Sequence, residues 1–170
     1  MGKALFTYTT KIEPSKTIAE IQEELVRHGA KAVMANYTDN GLIEALSFRV
    51  ATPEGRIMGI RLPCDPGPVF KVLEKQREEG KVPRGLVTKE QALRVAWRIV
   101  KYWVEAQMAL LETQMVKMEQ IFLPYAIVRD GRTLFEAMRN DKFRLLNAKI
   151  ESSATPVSAE EGEIVRDEEL

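Results

Sequence analysis

The chain of 170 residues and 19.3 kDa carries 25 Lys and Arg against 25 Asp and Glu, so its formal net charge is zero. With 45% hydrophobic and 29% charged residues, it has the composition of about one globular domain, which excludes the collagen-like, disulfide-rich and wholly disordered classes. One cysteine excludes an internal disulfide, and one histidine leaves no His pair for catalysis or for a metal cluster.

The zero net charge conceals two parts of opposite sign. Residues 151–170 contain seven acidic residues and one basic residue, which leaves 24 basic and 18 acidic residues in 1–150. We therefore expect a single α+β domain of charge +6 in residues 1–150. We expect a disordered tail of charge −6 in residues 151–170, because that segment has few large apolar side chains. A basic body with an acidic tail is typical of nucleic-acid-binding proteins, where the tail competes with the polyanion or recruits partners such as replication proteins. A tail that only improves solubility is the alternative.

The first elements are a strand and a helix. Residues 4–12 are rich in β-branched and aromatic side chains and predict a strand. Ser15 and the capping box Thr17-x-x-Glu20 predict the beginning of a helix that ends at Gly29. His28 lies in the last turn of this helix, where a basic residue interacts favourably with the helix dipole, so we assign it a structural role rather than a catalytic one.

Three further strands, at residues 31–38, 43–51 and 55–63, are separated by short turn sequences and predict an antiparallel meander. Alternation along the second and third strands places one set of apolar side chains towards the helices: Leu46, Phe48, Val50, Met58, Ile60 and Leu62. The opposite face carries small and basic residues: Ser47, Arg49, Ala51, Ile57, Gly59 and Arg61. An extended ligand could lie on this face, although half-exposed sheet faces without a ligand have a similar composition.

Three helices complete the predicted order. A short helix is expected at residues 69–79. The box Thr88-x-x-Gln91 begins the longest helical pattern, which runs to about residue 122, and the box Thr133-x-x-Glu136 begins a last helix that continues to about residue 146. The fold class is thus α+β, with a small antiparallel sheet in a β-α-β-β-β-α order followed by a long helix and a C-terminal helix.

The N-terminal half of the long helix carries a basic stripe. Arg94, Arg98 and Lys101 recur at helical spacing, and Trp97 and Tyr102 flank them. Basic side chains interleaved with aromatic rings suit single-stranded nucleic acid, because phosphates require positive charge and unpaired nucleobases require flat surfaces. In the alternative interpretation, Trp97 and Trp103 belong to the core, and the bases form a solvated face paired with acids at 90, 105 and 112.

The second half of the long helix is rich in methionine. Met108, Met115 and Met118 lie beside Leu110 and Leu111, a composition that suits an adaptable protein interface or an ordinary core. Because this apolar stripe exceeds what the predicted sheet layer covers, we expect a homo-oligomer in which a second copy buries the remainder.

Motifs of the common enzyme classes were not found. The chain has no Gly-rich phosphate loop, no HExxH, no CxxC, no GxSxG and no EF-hand pattern. We therefore expect neither an enzyme nor a bound cofactor or metal. Because there is no apolar run of membrane-spanning length and no secretory signal, we expect a cytoplasmic protein with no membrane partner.

Several segments together resemble a family of small uncharacterised proteins encoded by phages and mobile elements: TYTTKIEPSKTIAEIQEELVRHGAKAVM, ALSFRVATPEGRIMGIRLP, RVAWRIVKYWVEAQ, IFLPYAIV and GRTLFE. The resemblance covers about residues 6–139 and carries over no site residue. It implies a role in DNA replication or recombination, or in antagonising host defence.

These observations favour a non-enzymatic protein that binds single-stranded DNA, with RNA left open and strand annealing as a further activity to consider. The predicted contacts are Arg49, Arg61, Arg94, Arg98 and Lys101 for phosphates and Tyr37, Trp97 and Tyr102 for stacking. The alternative is a protein-interaction or inhibitor module that assembles through the Met-rich long helix. An enzyme that uses an acid such as Glu105 is the third hypothesis.

Overall fold

The computed structural model describes residues 3–144 and 146 and confirms an α+β fold with a three-stranded antiparallel sheet. The helices and strands are, in chain order, α1 (Pro14–Arg27), β1 (Ala32–Tyr37), β2 (Ile43–Ala51), β3 (Ile57–Arg61), α2 (Pro66–Glu78), α3 (Lys89–Glu112), α4 (Met118–Phe122) and α5 (Leu134–Asn140). The chain divides into two compact units, and the sheet and the first four helices belong to the first of them, Met1–Ala137. The predicted boundary at residue 150 and the predicted disorder of 151–170 lie outside the described residues.

The predicted first strand is wrong, and residues 4–12 form turns instead. Two glutamine side chains satisfy the backbone of this segment: the Leu5 N–H donates to Oε1 of Gln76 at 2.8 Å, and Nε2 of Gln91 donates to the carbonyls of Tyr8 and Thr10 at 2.8 and 2.9 Å. Leu5 and Tyr8 pack against the small apolar cluster beneath α2 and α3. The apolar composition thus reflects packing against helices rather than pairing with a strand.

Helix α1 begins three residues earlier than the predicted capping box. Its first residue is Pro14, which suits this position because its missing N–H would have no partner within the helix. Thr17 therefore lies inside the first turn and is fully buried against the core, so its predicted capping role is wrong. His28 forms the C-terminal cap, in agreement with the structural role expected of it.

The sheet agrees with the predicted meander. β2 pairs with β1 and with β3, and the register places Val33 opposite Phe48 and Phe48 opposite Ile60. The residues predicted to face the helices do so: Leu46, Phe48, Val50, Ile60 and Leu62 are buried, and Met58 packs against them. Helices α1 and α3 cover this side, with Ile21, Leu25, Val100 and Val104 in the same core. In the part of the chain that the structure describes, most residues on the other side of the sheet are exposed, although Ser47 at its centre is buried.

The predicted long helix is interrupted. Helix α3 ends at Glu112, where the Thr113 hydroxyl donates to the Leu110 carbonyl at 2.8 Å and Gln114 adopts a left-handed conformation with φ 58°. The chain then returns through α4, which brings the ring of Phe122 edge-on to Phe48 at 5.2 Å between ring centroids. A continuous helix would carry Phe122 away from the core, so burial of this ring favours the break.

The two remaining predicted helix starts are confirmed by their caps. The Gln91 N–H donates to Oγ1 of Thr88 at 3.0 Å. The Thr133 N–H donates to Oε2 of Glu136 at 2.7 Å, and the Glu136 N–H donates to Oγ1 of Thr133 at 3.2 Å, which is the reciprocal pattern of a capping box. Helix α2 begins at Pro66, earlier than expected, and α5 ends at Asn140 rather than near 146. Within the described part of the chain, no helix combines the length and apolarity that membrane crossing requires.

Candidate nucleic-acid interface

The three bases of the α3 stripe are bound by acids of the same chain. Arg94 donates to Oε1 of Glu13 at 2.7 and 3.1 Å, and Arg98 donates to Oε2 of Glu20 at 2.6 Å. Lys101 forms an ion pair with Glu105 and lies 3.9 Å from Glu20. Lys101 has the partner Glu105 that the alternative interpretation expects, but its side chain is only 14% exposed and is not a solvated face. Arg94 and Arg98 instead join α3 to the beginning and the middle of α1.

Arg98 is the most deeply placed of these bases. It is only 6% exposed, and besides Glu20 it donates to the Tyr102 hydroxyl at 3.2 Å. Burial disfavours the charged guanidinium, but the hydrogen bonds to Tyr102 and Glu20 outweigh it and raise the pKa of Arg98 above its ordinary value. A base that is buried and paired in this way stabilises the fold and has little surface to offer a phosphate.

The aromatic residues of α3 are also occupied. Trp97 is 0% exposed and lies in the main core, so its predicted role as a stacking platform is wrong. Tyr102 is 39% exposed, but Arg98 and Lys101 lie 5.0 and 4.8 Å from its ring centroid, and Phe6 contacts it edge-on at 5.2 Å. A nucleobase could stack on the Tyr102 ring only by displacing Arg98, Lys101 or Phe6 from it.

The Met-rich half of the helix is mostly internal as well. Met108 is fully buried, and Leu111 and Met118 pack against the main core. Of the residues on which the oligomer prediction depended, only Met115 is largely exposed. The stripe is covered by the chain itself, so it gives no reason to expect a second copy at this position.

The open face of the sheet has the properties that the helix stripe lacks. It consists of Ala32, Met34 and Asn36 on β1, Ala45, Ser47, Arg49 and Ala51 on β2, and Ile57, Gly59 and Arg61 on β3. Within these three strands, no position on this face is an Asp or Glu. Arg49 is exposed and Arg61 is half-buried, and neither forms an ion pair with any described residue. Among the described residues, this face therefore carries basic side chains that no carboxylate neutralises.

A shallow groove of about 540 Å³ lies on the open face. Met34, Ile57 and Ile127 supply its apolar lining, and Ser47 and Arg49 supply polar groups. Ile127 comes from a turn outside the sheet: its N–H donates to the Gly59 carbonyl at 2.8 Å, and its side chain lies over Gly59. Ile127 was not among the residues predicted from the sequence, although a glycine inside a strand, here Gly59, is a signal that another segment approaches closely.

Of the two other predicted contacts in the sheet, only Arg61 belongs to this face. Arg61 donates to the Gly131 carbonyl at 3.0 Å, which positions its guanidinium and leaves its positive charge unpaired. Tyr37, at the end of β1, is 63% exposed, but it lies opposite Ile43, which packs against the main core, so its side chain is on the other face of the sheet. The structure thus brings Arg49 and Arg61 together on one face and separates them from Tyr37 and from the stripe on α3.

A larger cavity, of about 650 Å³, lies where α1, α2 and α3 begin. Some of its charged groups are bound already: Arg94 is held by Glu13, and Asp65 accepts from the Gly67 N–H at 2.9 Å and so caps α2. Cys64 lines this cavity, but burial and the neighbouring Asp65 raise its pKa to about 12, so the thiol is not a nucleophile near neutral pH. Among the described residues, no group of His, Cys, Asp and Glu is arranged to hold a metal ion.

Comparisons of the chain with protein-family models, with curated proteins and with solved structures found no match.

Proposed function

We propose that this protein binds single-stranded nucleic acid along the open face of its sheet. The observation that carries the proposal is the contrast between the basic residues of α3 and those of the open face. Those on α3 are paired with acids, whereas Arg49 and Arg61 lie on a face without acids and have no carboxylate partner among the described residues. A polyanion gains most where positive charge is not already compensated, because binding then releases counterions without breaking an ion pair.

The spacing of the two arginines suits an extended strand. Gly59 lies opposite Arg49 and Ser47 lies opposite Arg61, so the two bases are on adjacent strands and separated by one pleat repeat along the sheet. Phosphates of an extended strand can then contact the two guanidinium groups in turn, and a guanidinium matches the geometry of phosphate oxygens.

The apolar part of the groove provides a surface that nucleobases can contact. Met34 is 56% exposed and Ile57 is 61% exposed, and Ile127 lines the same groove from the turn beyond β3. Tyr37, which the sequence had suggested as a stacking platform, is left out of the proposed site because its side chain is on the opposite face of the sheet. The binding set that we propose is therefore Arg49 and Arg61, with Met34, Ile57 and Ile127 as apolar contacts.

The remaining sequence-based expectations form part of the same proposal. The acidic tail would compete with nucleic acid for the open face or recruit replication proteins, since its charge of −6 is opposite to that of the body. Single-stranded DNA is the expected ligand in the phage or mobile-element context that the resemblance implies, with annealing as a further activity and the cytoplasm as its location.

One observation favours a second candidate function, a protein-interaction or inhibitor module. Met34 and Ile57 are exposed apolar side chains beside a basic residue, and such a surface also suits an acidic partner protein with apolar anchors. The interface would then be the open face rather than the Met-rich helix, because most of that helix is buried.

Fluorescence anisotropy with labelled oligo-dT over a salt series tests the proposal. We expect binding that weakens with salt, and we expect Arg49→Ala to reduce the slope of log K against log salt by about 0.7, the value for one phosphate contact on a single strand. Arg84→Ala is the matched control, since Arg84 is exposed, forms no ion pair among the described residues and lies outside the sheet. Equal effects of the two variants would contradict a site on the open face. Absence of binding to oligo-dT by the full chain and by a chain lacking the tail would favour the interaction module.

A further inference from the structure

The two edges of the sheet differ in how they are covered. Beyond β3, the turn that contains Ile127 pairs with the strand: the Ile127 N–H donates to the Gly59 carbonyl, and Ala126 bridges Ile60. Arg61 fastens the same turn through Gly131. β1 is the other edge, and it pairs with β2 alone within the described residues. One edge of the sheet is therefore closed by the chain itself, whereas no described residue pairs with the outer edge of β1.

β1 also lacks the features that normally prevent edge strands from pairing. Its sequence is AVMANY, with no charged residue and no proline between Ala32 and Tyr37. Exposed edge strands in monomeric proteins usually carry a lysine or a proline, or are very short or bulged. The β-bulge next to Tyr37 affects only the last residue of β1 and leaves five residues in regular register.

Opposite charges stand at the two ends of this strand. Lys31 immediately precedes β1 and Asp39 follows it two residues after its end, and both are exposed. Neither forms an ion pair with any described residue. Asp39 lies in the turn after β1, and the six strand residues between Lys31 and that turn span about 20 Å, at about 3.3 Å per residue, so the two charges cannot pair with each other within one molecule.

We infer that β1 is the docking surface for β1 of a second copy of this chain, in antiparallel orientation. In the register that sets Ala35 opposite Ala35, Val33 lies opposite Tyr37, and Lys31 of one copy comes next to the turn that carries Asp39 of the other. The two-fold symmetry of this pairing then forms the Lys31–Asp39 ion pair twice, once at each end of the interface. Parallel pairing would set like charges side by side, and this charge pattern therefore selects the antiparallel arrangement.

The paired sheet has six strands and a two-fold axis perpendicular to it. The open faces of both copies then lie on the same side, and the exposed Arg49 of each copy contributes to one continuous surface. The inference does not rest on the proposed function, because the edge, the strand composition and the terminal charges are independent of what binds to the open face. Since one strand pair buries less than a standard protein interface, we expect a reversible and concentration-dependent dimer.

Sedimentation equilibrium of the full chain at low salt tests this inference with a charge-exchange experiment. Lys31→Asp and Asp39→Lys each place like charges at both ends of the interface, so each should weaken the dimer roughly three- to tenfold, the range expected for exposed charge pairs. The double variant Lys31→Asp/Asp39→Lys restores opposite charges in the antiparallel register only, and it should recover the dissociation constant of the original chain. Lys16→Asp, at an exposed and unpaired position on α1, is the control and should have no effect.

Three results would overturn the inference. The first is a mass of 19.3 kDa at every concentration of the original chain. The second is a dimer that neither single variant weakens, or that Lys16→Asp weakens equally. The third is a double variant that stays as weak as the single variants, which would point to a different register or to pairing with another partner. Oligo-dT binding is not part of this experiment, so its outcome and that of the proposed function are separable.

Discussion

Arg98 on α3 donates a 2.6 Å hydrogen bond to Glu20 on α1, and this pair explains why a basic helix is not a basic surface. The two residues are far apart in the sequence, and helical spacing within α3 cannot reveal the acid that α1 supplies. The same helices are joined by Arg94 and Glu13 at 2.7 Å. Because Arg94 and Arg98 are held by acids of the same chain, their positive charge is not available to a ligand. The candidate interface is therefore the open face of the sheet rather than α3.

We expect Arg98→Ala to lower the free energy of unfolding by about 1–3 kcal/mol, the range for a lost hydrogen bond to a charged group. Urea denaturation measures the change. A double-mutant cycle with Glu20→Gln should show that the two effects are not additive, because each variant breaks the same pair. Additive effects would contradict a direct interaction between Arg98 and Glu20.

Trp97→Ala should destabilise the fold by about 3–5 kcal/mol, as for other large aromatic side chains removed from a core. The indole has no exposed surface, and it packs in the same cluster as Phe48 and Val100. Trp97→Phe should lose less stability and should retain the affinity for oligo-dT, since a buried ring contacts no base. A stable Trp97→Phe variant with strongly reduced affinity would show that the indole reaches the ligand.

The stability of the protein should fall as the pH rises above the ordinary pKa of histidine, because of His28. Its Nδ1 lies 2.8 Å from the Glu24 carbonyl oxygen, and its Nε2 lies 3.0 Å from Oε1 of Glu112. Both partners are acceptors, so the doubly protonated ring satisfies both. Burial alone would lower the pKa of His28, but the hydrogen bonds and charges of Glu24 and Glu112 raise it above 6.5 overall.

A raised pKa in the folded state means that the contribution of His28 is complete below pH 6.5 and is lost as the pH rises through the folded value. Thermal or urea unfolding at about pH 5.5 and at about pH 8.5 compares the protein below the ordinary pKa of histidine with the protein well above it. We expect Glu112→Gln to reduce the pH dependence, because the neutral amide no longer favours the charged ring. An unchanged pH dependence in His28→Gln would show that another group is responsible.

Removal of residues 151–170 should tighten the binding of oligo-dT at low salt. The segment carries a charge of −6 next to a body of charge +6, so its removal takes away a competing polyanion. The difference should shrink at high salt, where the attraction between tail and body is screened. Equal affinities of the full and shortened chains at low salt would show that the tail does not compete for the interface.

The sequence was most informative where the pattern is local. Alternation along β2 placed Leu46 and Phe48 on the buried face correctly, and the Thr133 and Glu136 box marked the start of α5. These features depend on neighbouring residues, whose spacing determines the face or the cap.

The errors arose where distant residues decide the structure. Gln76 and Gln91 satisfy the backbone of residues 4–12, which has the composition of a strand, and Phe122 reaches Phe48 only because α3 ends at Glu112. The same distinction between neighbouring and distant residues applies to the candidate site. Arg49 and Arg61 were identified from alternation, but the pairing of the α3 bases and the burial of Trp97 depend on α1 and on the sheet.

The most direct test of the proposed function compares two double variants that remove the same charge from different surfaces. Arg49→Ala/Arg61→Ala removes two bases from the open face, and Arg94→Ala/Lys101→Ala removes two from α3. With oligo-dT over a salt series, the sheet variant should lower the slope of log K against log salt by about 1.4, or about 0.7 for each phosphate contact, whereas the helix variant should keep the original slope. Circular dichroism should confirm that both variants fold. An unchanged slope for the sheet variant, or an equal loss in the helix variant, would contradict a nucleic-acid interface on the open face.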